Sequence, residues 1–448
     1  MERISDDFAI TFNVSRFSRG VDISYGVTPP TELATLAAVV AGKHEVVFCD
    51  ANALNLYPGE VCEWIRRESP DFLIVRSGDA TLTGDAVFYH YAEAMGVRAV
   101  LWEDTLNPLY SDRLMRDFHL KRVLYGEPER RIFDILDGAE GAVGGDILED
   151  MDSLPQPLMD VLPMDRYVKE GKRTWFSFLQ RGCGWGQCSF CLIAPSDITH
   201  RMRSIGHIRE ELDMLKARGI QSIYFWDPQI NPSRERVLEL CELFSQYPFR
   251  WEAWARVDVM DQELAAAMKR SGCFRLHLGL ENGDNRVLAS LCKGTNTDMI
   301  RRAFRVLRRH GIERAAYLCM GTPEESEDSF RRTIALIREI KPSTIVPASY
   351  RPFPNVPLTE TAQKCGMLVQ DHYDLSIRGD SFGTATVTRT KHMTAEEVAH
   401  WMGRIHKLST RIALRSYLLK PSVWKPFAHI FLVRTIRSLL IGRRKRSE

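Results

Sequence analysis

The sequence predicts an α/β chain: an N-terminal doubly wound, Rossmann-like sheet, then a partial (β/α)6 TIM-type barrel, then a mainly helical C-terminal segment. Three observations carry this. Residues 8–140 alternate short apolar runs with stretches of helical spacing. A second alternation begins at residue 174 and makes six β/α-type units. Between them, "GAEGAVGGD" and "LPQPLMDVLPMD" are rich in Gly and Pro and read as a linker. Strands that alternate with helices need crossover connections, and these give parallel sheets. The expected boundaries are 1–140 for the first domain, 141–172 for the linker, 173–355 for the barrel and 356–448 for an accessory segment.

In the first domain the strands fit "FAITFNV" (8–14), "EVVFCD" (45–50), "FLIVRS" (72–77), "RAVLWED" (98–104) and "RVLY" (122–125). "PTELATLAAVVAGK", "YPGEVCEWIRRES", "DAVFYHYAEAMG" and "YSDRLMRDFH" supply the helices. Ligands of such sheets bind beyond the carboxyl ends of the strands. In the barrel the strands fit "TWFSFLQ" (174–180), "SIYFWD" (222–227), "RWEAWARV" (250–257), "FRLHLGLE" (274–281), "RAAYLCMG" (314–321) and "TIVPASY" (344–350). Barrel chemistry also sits at strand carboxyl ends.

The chain has 448 residues, too many for one ordinary core. It is 44% hydrophobic and 26% charged, with a formal net charge of +2, so no global field argues for a nucleic-acid partner. The start "MERISDDFAI" carries acids and is not a secretory signal. No apolar run reaches the ~18 residues of a spanning helix. A cytoplasmic enzyme is the expectation.

Ten cysteines in a chain of this length do not read as a disulfide framework. Seven are scattered through apolar patterns, but Cys183, Cys188 and Cys191 fall within nine positions, in "QRGCGWGQCSFCLI". A structural zinc site needs a fourth ligand, and His200 is a nearby candidate. A cubane iron–sulfur cluster held by three thiolates keeps one iron open to a small ligand. Placement just past the first barrel strand favours the cluster, because that is where barrel chemistry sits.

The motif and the barrel that follows it resemble the radical S-adenosylmethionine (SAM) superfamily, whose usual spacing is CxxxCxxC with an aromatic residue before the last cysteine. Phe190 takes the aromatic place. The first gap here is four residues rather than three, and Gly184 and Gly186 lie inside it, where they can absorb the extra residue. The resemblance implies further SAM contacts. Asp227 in "IYFWDPQIN" and Arg256 in "WEAWARVD" match polar strand-end positions. Glu281 in "LHLGLENGDNRVLASLCKG" would take the ribose hydroxyls, and Gly321 in "YLCMGTPEES" would lie close to the adenine and methionyl groups. Read without the resemblance, Asp227 also suits a turn cap, Arg256 a barrel-mouth ion pair, Glu281 a surface acid and Gly321 a plain turn.

The order of domains resembles the cobalamin-binding radical SAM subfamily over most of residues 8–355. Ser77, Thr81 and Gly126 are the candidates for holding the nucleotide tail of cobalamin. No DxHxxG follows the first strand, so that motif offers no histidine as lower cobalt ligand. A purely structural domain, or one for another nucleotide, stays open.

The resemblance implies a cobalamin-dependent radical SAM methyltransferase acting on an unactivated carbon or phosphorus. Its cofactors would be a 4Fe-4S cluster, SAM and cobalamin, and its reductant a protein such as flavodoxin or ferredoxin. Ring formation, oxidation or rearrangement with the same cofactors is the alternative. A zinc-stabilised binding protein without turnover is the reading from another class. The tail "WKPFAHIFLVRTIRSLLIGRRKRSE" suits an interfacial helix on anionic lipid, which would favour a lipid-like substrate, or a helix docked on the barrel. "HYDLSIRGDSFGT", with Tyr373, reads as a solvated loop.

Overall fold

The computed structural model describes residues 9–14, 27–78, 81–103, 108–144, 146–193, 199–370, 373 and 388–418. The expected α/β architecture is present. The N-terminal sheet contains β1 (Ala9–Val14), β2 (Glu45–Asp50), β3 (Phe72–Ser77), β4 (Arg98–Glu103), β5 (Arg122–Tyr125) and β6 (Gly141–Gly144). All pairs are parallel, in the order β2-β1-β3-β4-β5-β6. The helices are α1 (Thr31–Ala41), α2 (Pro58–Glu68), α3 (Leu82–Ala94), α4 (Pro108–Asp117) and α5 (Ile132–Leu136).

Alternate residues of the central strands feed two cores. Leu73, Val75 and Leu101 pack with Phe88, Tyr89 and Leu114 on one face. Phe72, Ile74 and Val100 pack with Leu33, Leu36 and Ile132 on the other. Burial on both faces explains why these strands read as unbroken apolar runs.

β6 was not expected as a strand, because its glycines read as linker. It is a sheet edge that glycine makes possible: Gly144 has φ +156°, and a Cβ there would lie 2.2 Å from the Tyr125 carbonyl oxygen.

The second sheet opens with β7 (Val168–Lys169), antiparallel to β8 (Lys172–Ser177). β9 (Gln180–Arg181) and β10 (Arg201–Met202) form a separate antiparallel pair. β11 (Ser222–Phe225), β12 (Arg250–Ala255), β13 (Cys273–Glu281), β14 (Glu313–Met320) and β15 (Thr344–Ser349) follow. The order β15-β14-β13-β12-β11-β8-β7 leaves the sheet open, a half-barrel of six parallel strands with one short antiparallel edge. Trp175, Ile223, Phe225, Trp251, Ala253, Leu276, Leu278 and Leu318 face outward into the helical layer and build the largest core.

That layer is α6 (Ile205–Ala217), α7 (Arg234–Phe244), α8 (Gln262–Arg270), α9 (Asn285–Ser290), α10 (Thr297–Arg309) and α11 (Glu327–Ile340). Each begins with a side-chain cap, from Ser204, Ser233, Asp261, Asp284, Asn296 and Ser326 in turn. α12 (Pro357–Lys364) and α13 (Ala395–Leu418) complete the described chain. Val398, Trp401, Met402 and Ile405 of α13 enter the barrel core.

Two further expectations change. "TWFSFLQ" is not one strand: β8 ends at Ser177, and Gln180 starts β9. At the break, Asp227 accepts from the N–H groups of Leu179 and Gln180, each at 2.8 Å. Tyr373 is not solvated. It is buried in the N-terminal core, its hydroxyl donates to Asp117 at 2.9 Å, and Arg113 lies 3.8 Å over its ring. The basic tail lies outside the described residues. Among those described, no helix is long and apolar enough to cross a membrane.

The carboxyl edges of the two sheets face each other. Thr31, at the start of α1, donates to the Phe176 carbonyl of β8 at 2.6 Å. Asp50, at the end of β2, accepts from Tyr167 at 2.9 Å. After β5, Glu127 and Glu129 take the guanidinium groups of β9 and β10. Arg201 donates to Glu127 at 2.8 Å, and Arg181 bonds Glu129 at 3.2 Å with a second, shorter contact. Arg181 also lies 3.3 Å from Glu127. Burial opposes ionisation of Glu127, but Arg201 and Arg181 outweigh it and hold its carboxyl below the usual range. Breaking a buried pair on one side strands the other charge. Arg201→Met should therefore lower the unfolding free energy by about 3 kcal/mol, read from urea unfolding curves. An unchanged midpoint would show that the contact does not bind the domains.

Candidate active site

The three cysteines lie on the loop that connects β9 to β10, at the barrel mouth. The base of the loop is held from below. Besides the two bonds to Asp227, Gln180 donates from Nε2 to the Gln229 carbonyl at 2.6 Å, and its Oε1 meets His200 Nε2 at 3.0 Å. His200, the candidate fourth zinc ligand, is thus engaged by an amide. The Asp227 carboxyl is fully buried and its Oδ2 has no hydrogen-bond partner among the described residues. Burial pushes its pKa up to about 7, against the two backbone donors that pull it down.

The far half of the loop docks on the barrel. Ser189 N donates to the Leu291 carbonyl at 3.0 Å, Ser189 Oγ to Ser290 at 2.9 Å, and Leu358 N to the Ser189 carbonyl at 2.9 Å. Phe190 packs against the cluster of Val287, Leu291, Cys319, Tyr350 and Leu358. Its visible task is to anchor the loop.

The four-residue gap also has an anchor. Gly186 adopts φ +58°, a left-handed turn that suits glycine. Trp185 then donates to the Cys292 carbonyl at 3.0 Å and lies with Arg256 4.4 Å over its ring. Gly294 makes room for that indole: a Cβ there would sit 2.5 Å from it. Gly184 does not need positive φ, but a Cβ there would press on Gln229 at 3.0 Å.

Arg256 is tied to Asp258 at 2.9 Å and to the Lys293 carbonyl at 2.8 Å. Lys293 reaches back to the Gly279 carbonyl at 3.2 Å and pairs with Glu281. Glu281 has φ +57°, uncommon for a residue with a side chain, at a register shift between β13 and β14. Gly279 lies beside the pair: a Cβ there would fall 2.2 Å from Glu281 Oε1, at the movable end of that side chain. Lys293, Cys191, Glu281 and Arg256 are all felt electrostatically by Cys188. Burial pushes the Cys188 thiol up to about 12, and the two cations oppose that rise.

Sequence expectations therefore divide. Cys188, Cys191, Glu281 and Arg256 share one constellation. Asp227 stands behind the loop base, and Phe190 in its own pocket. Gly321 has φ +83°, but its N–H goes to Glu325 and its carbonyl accepts from Thr388. Glu325 is fully buried and also accepts from Asn282 at 2.6 Å. Burial pushes its carboxyl up to about 7. In the N-terminal sheet, Ser77 ends β3 with a buried Oγ that has no hydrogen-bond partner among the described residues. Thr81 closes a turn on Gly78 at 3.1 Å, and Gly126, at φ +67°, precedes the clamp residue Glu127. Trp185 and Glu325 carry no signal in the sequence, whereas Lys293 and Gly294 are the Lys-Gly pair of the stretch that resembles the family.

Among the described residues no group of three or more His, Cys, Asp or Glu side chains is gathered tightly enough to hold a metal ion. The three sulfurs share a loop without forming a closed cage. The donor set still suits an iron–sulfur cluster: three undisulfided thiols, two of them at the ends of one turn (Cys191 N to Cys188 O, 3.2 Å), beside two cationic side chains. Tetrahedral zinc would need a fourth ligand, and His200 is turned to Gln180.

Residues 177–337 match the family model described as the radical SAM superfamily. An uncharacterized methyltransferase of Pyrococcus horikoshii is 24% identical, with 92% of this chain and 93% of that protein aligned. The bacteriochlorophyllide d C-12(1)-methyltransferase of Chlorobaculum tepidum is 26% identical over 77% of this chain and 76% of its own. Among solved structures, the radical S-adenosylmethionine methyltransferase TsrM of Kitasatospora setae, with cobalamin and a 4Fe-4S cluster bound, superposes with a TM-score of 0.65. It is 14% identical and covers 82% of this chain and 79% of its own, a likeness of fold.

Two expectations follow. Gly294→Ala should push Trp185 off its seat and lower stability by about 1–3 kcal/mol, visible as a changed near-ultraviolet tryptophan signal; an unaltered spectrum would mean the indole is not seated there. The second concerns pH. Asp227 binds its proton more tightly folded than unfolded, so its contribution to stability falls as pH rises from about 4 to 7. Asp227→Asn should flatten the stability–pH curve across that window by up to one proton, measured by denaturant titrations at several pH values.

Proposed function

We propose, from the match of residues 177–337 to the radical SAM family model, that this chain is a cobalamin-dependent radical SAM methyltransferase acting on an unactivated carbon or phosphorus of a small molecule. One observation carries the reading: the thiol-bearing loop is clamped at its base, through Arg181 and Arg201, to the carboxyl edge of the doubly wound sheet. That contact supports a reading in which the two candidate sites face each other. The methyltransferase relatives and the shared fold support the same choice.

When bound, the cluster, SAM and cobalamin supply the electron, the hydrogen-abstracting radical and the methyl group. The chain's own residues bind and orient. Cys183, Cys188 and Cys191 are assigned as the thiolate ligands. Lys293 and Arg256 place positive charge beside Cys188 and favour its thiolate. Glu281 is assigned to the ribose hydroxyls of SAM, a carboxylate being able to accept from two at once. Arg256, through the Lys293 carbonyl and Trp185, holds that corner in place. Asp227 fixes the loop base, Phe190 its far half, and Gly321 with Glu325 the end of β14. Ser77, Thr81 and Gly126 are assigned to the cobalamin tail, Ser77 because its buried hydroxyl meets no partner among the described residues. A low-potential protein such as flavodoxin or ferredoxin fits as the reductant.

The test is anaerobic purification with added cobalamin, followed by iron, sulfide and cobalt analysis and optical spectra. About four iron and four sulfide per chain, bound cobalamin and dithionite-dependent release of 5′-deoxyadenosine are expected. Cys188→Ala should lose the iron and at least 100-fold of the SAM cleavage. S-adenosylhomocysteine that accumulates with substrate would establish methyl transfer. A colourless protein carrying one zinc would overturn the proposal.

A further inference from the structure

The concave face of the half-barrel is the opposite face of the strands whose outward residues pack on helices, and it is lined by rings. Phe176 on β8 stacks on Trp226 at 5.7 Å and meets Tyr224 edge-on at 4.9 Å. Tyr224 stacks on His277 at 4.9 Å. His277 adjoins Trp254 at 5.3 Å, and Trp254 lies 4.2 Å from Tyr317. Trp226 meets Trp254 edge-on at 6.4 Å. Six rings thus make one continuous seam from β8 to β14.

The seam is graded in exposure and polarity. At its floor, Glu252 is fully buried and accepts from Lys169 at 2.6 Å, His277 at 3.0 Å and Arg275 at 3.1 Å. His277 Nδ1 meets the Tyr317 hydroxyl at 3.0 Å. The charges of the floor satisfy one another. Toward the mouth the rings open: Trp226 is 41% exposed, and Trp254 and Tyr317 are half-buried. Tyr317 is the register partner of Gly279, whose carbonyl receives Lys293. The open end of the seam therefore adjoins the Lys293–Glu281 pair and the cysteine loop.

An exposed tryptophan is unusual on an internal barrel face, because water there gains nothing from an indole. Aromatic faces recognise other π systems by stacking, whatever their substituents. A saturated group of equal size fills the volume but forgoes the quadrupole contact. Resting on the function proposed above, we infer that the substrate presents a planar, conjugated ring system, which lies against Trp226, Trp254 and Tyr317 with its reacting atom directed to the mouth.

The test uses the reconstituted holoenzyme and two probes with one carbon skeleton, planar aromatic 2-naphthoate and saturated decahydro-2-naphthoate, with binding read by equilibrium dialysis. At least ten-fold tighter binding of the planar probe is expected. Trp226→Phe, which keeps a ring, should hold planar affinity within about three-fold, whereas Trp226→Leu should lose about ten-fold. Equal binding of the two probes, absence of planar binding, or equal affinities of the Phe and Leu variants would each overturn the inference. Trp226 lies at an open edge, so both variants are expected to fold, and circular dichroism checks this. Deoxyadenosine release by the unmodified holoenzyme is measured in parallel. Its absence would sink the parent function, whereas cleavage with unselective binding would sink only the substrate class.

Discussion

The carboxylate–guanidinium clamp between Glu127, Glu129, Arg181 and Arg201 is the contact on which the rest of the molecule depends. Neither half of the chain places the cysteine loop alone. The barrel holds the loop base through Asp227 and Gln180, and the N-terminal sheet holds the same base from the other side. Charges removed from water cost free energy unless each finds a partner, so the array penalises docking geometries that leave one of them unpaired. Arg201 adds a bond to the Leu148 carbonyl, and Leu148 N returns to Glu127 at 2.9 Å. The linker is stitched into the same array.

The mouth shows a second constraint, which is room. Gly294 is placed where the Trp185 indole needs its missing Cβ, and Gly279 sits against the ends of the Lys293–Glu281 pair. The extra residue in the cysteine spacing fits the same logic. A left-handed Gly186 takes up the length, and the indole it displaces is bound by Arg256 and Cys292. The departure from the usual spacing thus has an anchor of its own.

Several site residues were legible because their residue type alone restricts what they can do. Three clustered thiols, a carboxylate after a glycine at a strand end and an arginine at another strand end announce themselves. The partners were not legible. Trp185 is an ordinary letter until folding lays it beside Arg256. Glu325 reads as one acid among several, yet it is the fully buried group that organises Asn282, Gly321 and Thr322. Phe190 was expected near SAM by resemblance and is seen packed with Leu291 and Leu358, a contact that no local pattern encodes. Tyr373 read as solvated from its polar neighbours and instead enters the N-terminal core.

By itself the sequence determined the two alternations of strand and helix, their parallel sheets and the position of the thiols past the first barrel strand. These follow from periodicity and residue type, which act over a few positions along the chain. The tertiary structure alone decided that the two carboxyl edges meet, that β9 breaks away from β8, and that six rings line the concave face. Each of these rests on groups far apart in sequence, such as Arg181 with Glu129 and Arg201 with Glu127. Their energies exist only once both partners have left water together, and no short stretch of chain carries that information.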